Sequence, residues 1–223
     1  MDYVVMLLFI PIFMFVIVVT IRVKGVFKKY NQVSSLKGIA GAQAAKMVLQ
    51  ANGITNVSFN LIKGDLTDHY NPKDNSLNLS EDVYFGTSVA AIGVACHEAG
   101  HALQYTNMYI PIKIRSALVL VTKFSAAFSR IFITSGIILT SIGLFQISMV
   151  LLAVGTLFQL ITLHAELNAS KRAIQSIQKA HILTPQEVND ATKVLTAAAM
   201  TYVAALAVSL FELLRLFIII KDV

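Results

Sequence analysis

The sequence predicts a mainly α-helical membrane protein, in which about four transmembrane helices carry one small α+β region folded in water. Three observations predict it. Of the 223 residues, 56% are hydrophobic and 13% charged, and the mean hydropathy is +0.70, whereas soluble domains run near half apolar and about a quarter charged. Long charge-free runs occur at 3–21 and 131–163. Between the first run and residue 112 the composition turns polar enough for a water-soluble fold.

The formal charge of +6 is scattered around apolar segments. That pattern suits loops held on the cytoplasmic side of a bilayer. A nucleic-acid-binding chain would show a basic stripe with interleaved aromatics. A lipid bilayer is therefore the expected partner, and nucleic acid is not. The single cysteine, Cys96, excludes an intrachain disulfide.

Residues 1–22 are expected to form an N-terminal transmembrane anchor, because nineteen residues without a charge cross a hydrocarbon core as a helix. Arg22, Lys24, Lys28 and Lys29 follow the run, which places its C-terminal end in the cytoplasm. Residues 23–112 form the soluble region. Within it, 36–52 reads as a small-residue helix stopped at Asn52-Gly53. Residues 57–62 and 76–79 read as strands joined through the turn-rich KGDLTDHYNPKDN. A further helix starts at Thr87-Ser88, both good N-caps, and runs to about Tyr105, with Pro111 closing the segment. Residues 113–163 are expected to be a transmembrane hairpin turning near 145–148, since one helix over the 33 charge-free residues from 131 would rise about 50 Å against a core of about 30 Å. Residues 164–194 return as a helix and loop with a new helix start at Thr184-Pro185, and 195–223 form the last span. Four spans put 22–115 and 164–194 together on the cytoplasmic side. Glu212 and Arg215, three apart in the last span, read as an interfacial ion pair.

The chemistry is carried by AIGVACHEAGHALQY, 91–105. His97-Glu98-Ala99-Gly100-His101 matches H-E-x-x-H, which on a helix stacks the two imidazoles one turn apart so that both can hold one zinc ion. Glu98 is rotated by about 100° from His97, beside the ligands, where a general base reaches a water activated by the metal. A hydrolytic zinc site takes three protein ligands and keeps one position open. Candidates for the third are His164, Glu166, His181, Glu187, Asp190 and Glu212. A hairpin ending near residue 163 brings His164 and Glu166 back beside the motif helix, and a carboxylate at Glu166 would complete a two-histidine, one-glutamate set.

The run TDHYNP…LNLSEDVYFGTSVAAIGVACHEAGHALQ, followed about 65 residues later by LHAELNASKRA, resembles the YugP-like family of bacterial membrane zinc metallopeptidases. The resemblance covers about 38–173 and continues into the last apolar segment. It implies a membrane-bound neutral zinc metallopeptidase of the gluzincin type with a small zincin-like cytoplasmic catalytic domain. His97 and His101 match its histidine ligands, Glu98 its catalytic glutamate and Glu166 its downstream ligand. Two departures stand out. Asn71-Pro72-Lys73 replaces the family's Asp-Pro-Arg, and His164 and Asn168 replace its proline and aspartate, the latter a carboxylate that could orient a ligating histidine.

His69 and Tyr70 are the expected donors to the oxyanion of a tetrahedral intermediate, although a polar turn in which Asp68 and Asn71 satisfy backbone groups explains the same residues. The strand at 77–79 is expected to offer a free edge to an extended peptide. The sequence thus predicts a zinc-dependent metalloendopeptidase acting at the cytoplasmic face of the cell membrane on a peptide or membrane-protein substrate, through a zinc-activated water with Glu98 as base. A regulatory membrane partner or a second copy of the chain is a further expected partner. The rival reading is a membrane scaffold or assembly factor with a structural or vestigial zinc site.

Overall fold

The computed structural model describes residues 2–64 and 66–222, with the side chains of 2–9 and 222 excepted. Met1 in the predicted anchor, Asp65 in the turn-rich connection and Val223 at the end of the last span lie outside the described residues. Ten elements follow in chain order: α1 (Asp2–Asn31), α2 (Gly41–Ala51), β1 (Ser58–Ile62), β2 (His69–Asn71), β3 (Ser76–Ser80), α3 (Glu81–Tyr84), α4 (Val89–Thr106), α5 (Ile110–Leu139), α6 (Ile142–Lys179) and α7 (Pro185–Asp222). The protein is mainly α-helical, with one small sheet. Four helices are long and apolar enough to cross a membrane, at Ile10–Asn31, Ile110–Leu139, Ile142–Lys179 and Pro185–Lys221.

The chain divides into two units. The first comprises 1–20, 110–164 and 201–223, and the second 21–109 and 165–200. In the first, large apolar side chains such as Phe13, Met14, Leu120, Phe124, Ile131 and Leu157 stand exposed, the surface expected of helices solvated by lipid. The predicted hairpin is present, but it turns at Thr140 and Ser141, earlier than 145–148. Thr140 takes a positive φ of 47°, and the Ser141 carbonyl accepts the Phe145 N–H at 3.5 Å to open α6 at Ile142. Phe145 instead packs inside the hairpin: a Cβ on Gly136 would lie 2.9 Å from its ring. Ser148 donates to the Ser129 carbonyl at 3.2 Å. Thr140-Ser141, followed by Gly143, is the polar signal that marks the turn inside this charge-free run. Pro111 does not close the preceding segment but sits in the first turn of α5, where a missing N–H costs nothing. Glu212 and Arg215 pair at 3.5 Å.

In the second unit α4 is the central element. Ser88 caps it by accepting from the Ala91 N–H at 3.0 Å, as its residue type predicts. Its apolar positions Ile92, Ala95, Cys96, Ala99 and Leu103 share one core with Ala45, Val48 and Leu49 of α2, Leu77 and Leu79 of β3, and Ala173 and Ile177 of α6. α2 starts at Gly41, later than the predicted residue 36. The segment before it is taken up by backbone bonds of Ser35 to Thr87 and of Val89 to Val33, each 2.9 Å. It ends at the predicted place, with Gly53 at φ 75°. α7 opens on a capping box: Glu187 Oε2 accepts the Thr184 N–H at 2.8 Å, and Thr184 Oγ1 accepts the Glu187 N–H at 3.4 Å.

The sheet differs from expectation in one way that matters for function. The connection between the two predicted strands contributes a strand of its own, β2, and the order is β1-β3-β2. β1 runs parallel and β2 antiparallel to β3. β3 is therefore central and fully buried, so the free edge expected at 77–79 does not exist. Alternating Leu77 and Leu79 both reach 0% exposure, which selects this strand for the middle. The edges are β1 and β2; β2 is three residues long and followed by Pro72, which has no N–H to offer a ladder.

Candidate metal centre

His97 and His101 lie on one face of α4, one turn apart, with ring centroids 4.8 Å apart and planes at 84°. Glu166 comes from α6. Its Oε2 is 3.2 Å from His97 Nε2 and 3.4 Å from His101 Nε2, and one ligand atom from each of the three lies within 4.8 Å of the others. Ligand atoms about 2.0–2.1 Å from a tetrahedral zinc stand roughly 3.3 Å from one another. The donor set and its spacing fit such an ion. His101, Glu166 and Glu98 are buried, and His97 is partly open.

The close approach of α4 and α6 is built into the motif. A Cβ at Gly100 would stand 2.5 Å from the carbonyl oxygen of Ala169, so only glycine lets α4 and α6 meet this closely here. Both imidazoles have their far nitrogen engaged: His97 Nδ1 lies 3.1 Å from Ser170 Oγ, and His101 Nδ1 lies 3.0 Å from Gln104 Oε1. Each ring therefore turns its Nε2 toward Glu166.

Glu98 belongs to a different face of the helix. Its Oε2 accepts the backbone N–H of Tyr70 at 2.9 Å. Burial pushes its pKa above the usual carboxylate range, against the opposing charges of His101 and His97 and the Tyr70 N–H. For His101, burial opposes the charged ring, but hydrogen bonding to Glu166 and the Glu98 charge carry its pKa upward. Buried Cys96, next to His97, has its thiol pKa pushed well up by burial and is an inert core residue.

A model of the family described as "Putative neutral zinc metallopeptidase" matches residues 5–221. The chain belongs to this family. It is 43% identical over 194 residues to the protein named "Putative membrane protease YugP" of Bacillus subtilis (strain 168), an alignment covering 87% of this chain and 86% of that one. No solved structure matches it. Family membership brings zinc and a peptidase fold into agreement with the donor set, and the four apolar helices agree with a multi-pass membrane protein.

His69 and Tyr70 fall on β2, the strand that the sequence hid in a turn-rich stretch. Tyr70 reaches the site through its backbone N–H. Its hydroxyl donates to Asn75 Oδ1 at 2.7 Å, and its ring lies 5.5 Å from that of Tyr105. His69 is exposed, with Nδ1 2.9 Å from the Thr67 carbonyl. Asp68, in the same stretch, holds Ser80 through its backbone N–H at 2.7 Å. His164 is exposed. Asn168 shows no hydrogen bond to either motif histidine, where its position suggested one; Gln104 bonds His101. Gln104 and Ser170 escaped sequence reading, although a glutamine three residues beyond His101 in an otherwise apolar stretch was a usable signal.

Proposed function

We propose that the chain is a zinc-dependent metalloendopeptidase of the cell membrane that hydrolyses peptide bonds at the cytoplasmic face, with His97, His101 and Glu166 as the zinc ligands and Glu98 as the general base. One observation carries this reading: a Glu166 carboxylate oxygen stands 3.2 and 3.4 Å from the Nε2 atoms of His97 and His101, the separation of neighbouring ligands on a tetrahedral zinc, with Glu98 held beside them by Tyr70. Zinc in that position would supply Lewis-acid polarisation of the scissile carbonyl and of a water molecule.

The chain's own residues do the rest. Glu98 takes the proton of the attacking water and delivers it to the leaving amine. Its burial makes it a better base than an exposed glutamate, and the Tyr70 N–H keeps its Oε2 oriented. The oxyanion donor is His69 or Tyr70. With Nδ1–H of His69 directed at Thr67, its Nε2 donates only when the ring is protonated, whereas the Tyr70 hydroxyl must leave Asn75. The peptide or membrane-protein substrate passes along the β2 edge, beside Glu98. The cytoplasmic face rests on Arg22, Lys24, Lys28 and Lys29 at the end of the first span.

A structural zinc site would want a fourth protein ligand. Among the described residues the metal-competent group has three members, which supports an open position. The test compares membranes carrying wild type or Glu98→Gln, reading cut peptides by proteomics and zinc by elemental analysis. Glu98→Gln should retain zinc and lose cleavage by about 10²–10⁴-fold. Cleavage at the wild-type rate would remove Glu98 from the role.

A further inference from the structure

Gln104 is fully buried, and a buried primary amide must place two donors and an acceptor. Its Nε2 donates to the Ala165 carbonyl at 2.7 Å and to Asn168 Oδ1 at 3.1 Å. Its Oε1 faces His101 Nδ1 at 3.0 Å. An amide can in principle be turned end for end, but here both neighbours forbid it. A backbone carbonyl only accepts. Asn168 is itself oriented by Arg172, whose Nε donates to the same Oδ1 at 2.7 Å; a guanidinium has no acceptor, so the Asn168 oxygen must face it. Reversing Gln104 would set its oxygen against the Ala165 oxygen. Reversing Asn168 would set its NH2 against the Arg172 N–H.

With both Nε2 hydrogens of Gln104 committed, only its carbonyl oxygen is left for His101, and a carbonyl accepts. The proton of a neutral His101 ring is then on Nδ1, and its Nε2 carries the bare lone pair toward Glu166. We propose that Arg172, Asn168 and Gln104 form a polarity relay that locks His101 in the Nδ1–H tautomer, the form whose Nε2 can bind the metal. The three are positioning residues, acting through His101. His97 has no such lock: its Nδ1 faces the Ser170 hydroxyl, which can donate or accept. The two ligand histidines are thus unequal, one fixed and one adaptable. Asn168 also finds an explanation where the resembling family carries aspartate, since either residue presents an acceptor oxygen to Gln104 and Arg172.

The inference rests on His101 being a metal ligand, and its test separates the two claims. The full-length chain in detergent is stripped of metal, its histidine tautomers are read by ¹⁵N NMR at a pH high enough to leave the His101 ring neutral, and its zinc affinity is measured by competition with a chromophoric chelator. In wild type His101 should be Nδ1-protonated. Gln104→Met, of similar length and without polar atoms, should give a tautomer mixture and weaken zinc binding by about 10–100-fold. Asn168→Asp should keep both properties, and Asn168→Leu should lose them in part. Should Gln104→Met fail to fold, Arg172→Met at the half-buried end of the relay takes its place, with the same direction of change expected. A variant that binds zinc as tightly as wild type, with His101 still wholly Nδ1-protonated, overturns the lock alone. A wild-type chain that binds no zinc overturns the metal reading and the lock with it.

Discussion

Opposing influences act on the Glu98 carboxyl group. Burial favours its neutral form, and the charges of His101 and His97 together with the Tyr70 N–H favour its carboxylate. Burial wins, so the metal-free protein should hold this group protonated to higher pH than an exposed glutamate. The sign for catalysis follows: the base works deprotonated, so its activity is present above its pKa and lost as pH falls through it. A ¹³C titration of glutamate-labelled, metal-free protein should find the Glu98 midpoint above the ordinary carboxylate range, and added zinc should lower it by placing a cation nearby. A midpoint at or below that range without metal would mean the site is wetter than its geometry implies. At this scale the sequence was informative where spacing carries chemistry. Two histidines four apart and a glutamate between them can be read directly, whereas the need for a third ligand left six candidates, among which the hairpin and the family resemblance pointed to Glu166. Gln104 left a local trace, three residues beyond His101 in an apolar stretch, but Ser170 and the Tyr70 N–H could not be read, because they matter through contacts between helices and strands that no local spacing encodes.

Among the elements, α4 shows how tightly the site depends on backbone approach. Gly93 and Gly100 lie in the same helix, yet a Cβ at Gly93 would meet the Ala191 Cβ at an ordinary 3.6 Å, and one at Gly100 would meet the Ala169 carbonyl oxygen at 2.5 Å. Gly93→Ala should be neutral or slightly stabilising, since alanine is the better helix former. Gly100→Ala should cost about 1–3 kcal/mol by forcing α4 from α6, with weakened zinc binding, because Glu166 and Ser170 move with α6. Thermal unfolding and zinc titration of the two variants in detergent check this, and equal behaviour would contradict it. Element type was legible wherever a cap or an alternating pattern was present, as at Ser88, Thr184 and β3. Strand β2 was not, because three residues amid Asp, Asn and Pro look like a turn until β3 pairs with them. The hairpin turn was legible in Thr140-Ser141, a helix-start signal like Thr87-Ser88, but a pair of small hydroxyl residues stands out little in a long charge-free run.

For the whole molecule, the proposed topology sets residues 22–115 and 164–194 on the cytoplasmic side. The chain is well suited to a labelling test, because Cys96 is buried and its thiol pKa is pushed up, which leaves a silent background. Lys73 is exposed in the turn between β2 and β3. A membrane-impermeant maleimide should label Lys73→Cys in inside-out vesicles and leave it unlabelled on intact cells. Labelling on intact cells would reverse the orientation and move the proposed cleavage to the other face. Composition was enough to read a mainly helical membrane protein, since a chain this apolar has little else to do with its long charge-free runs. The division of α6 and α7 was hidden: each is a single helix whose polar and apolar stretches suggested separate segments.

The central claim is that two imidazoles and one distant carboxylate hold a single zinc ion with room for a substrate. Elemental analysis of the purified full-length chain tests it most directly, across wild type, Glu98→Gln and Glu166→Gln. The account predicts one zinc per chain in wild type and in Glu98→Gln, and loss of the metal in Glu166→Gln. Wild-type zinc content in Glu166→Gln, or none in wild type, would contradict it.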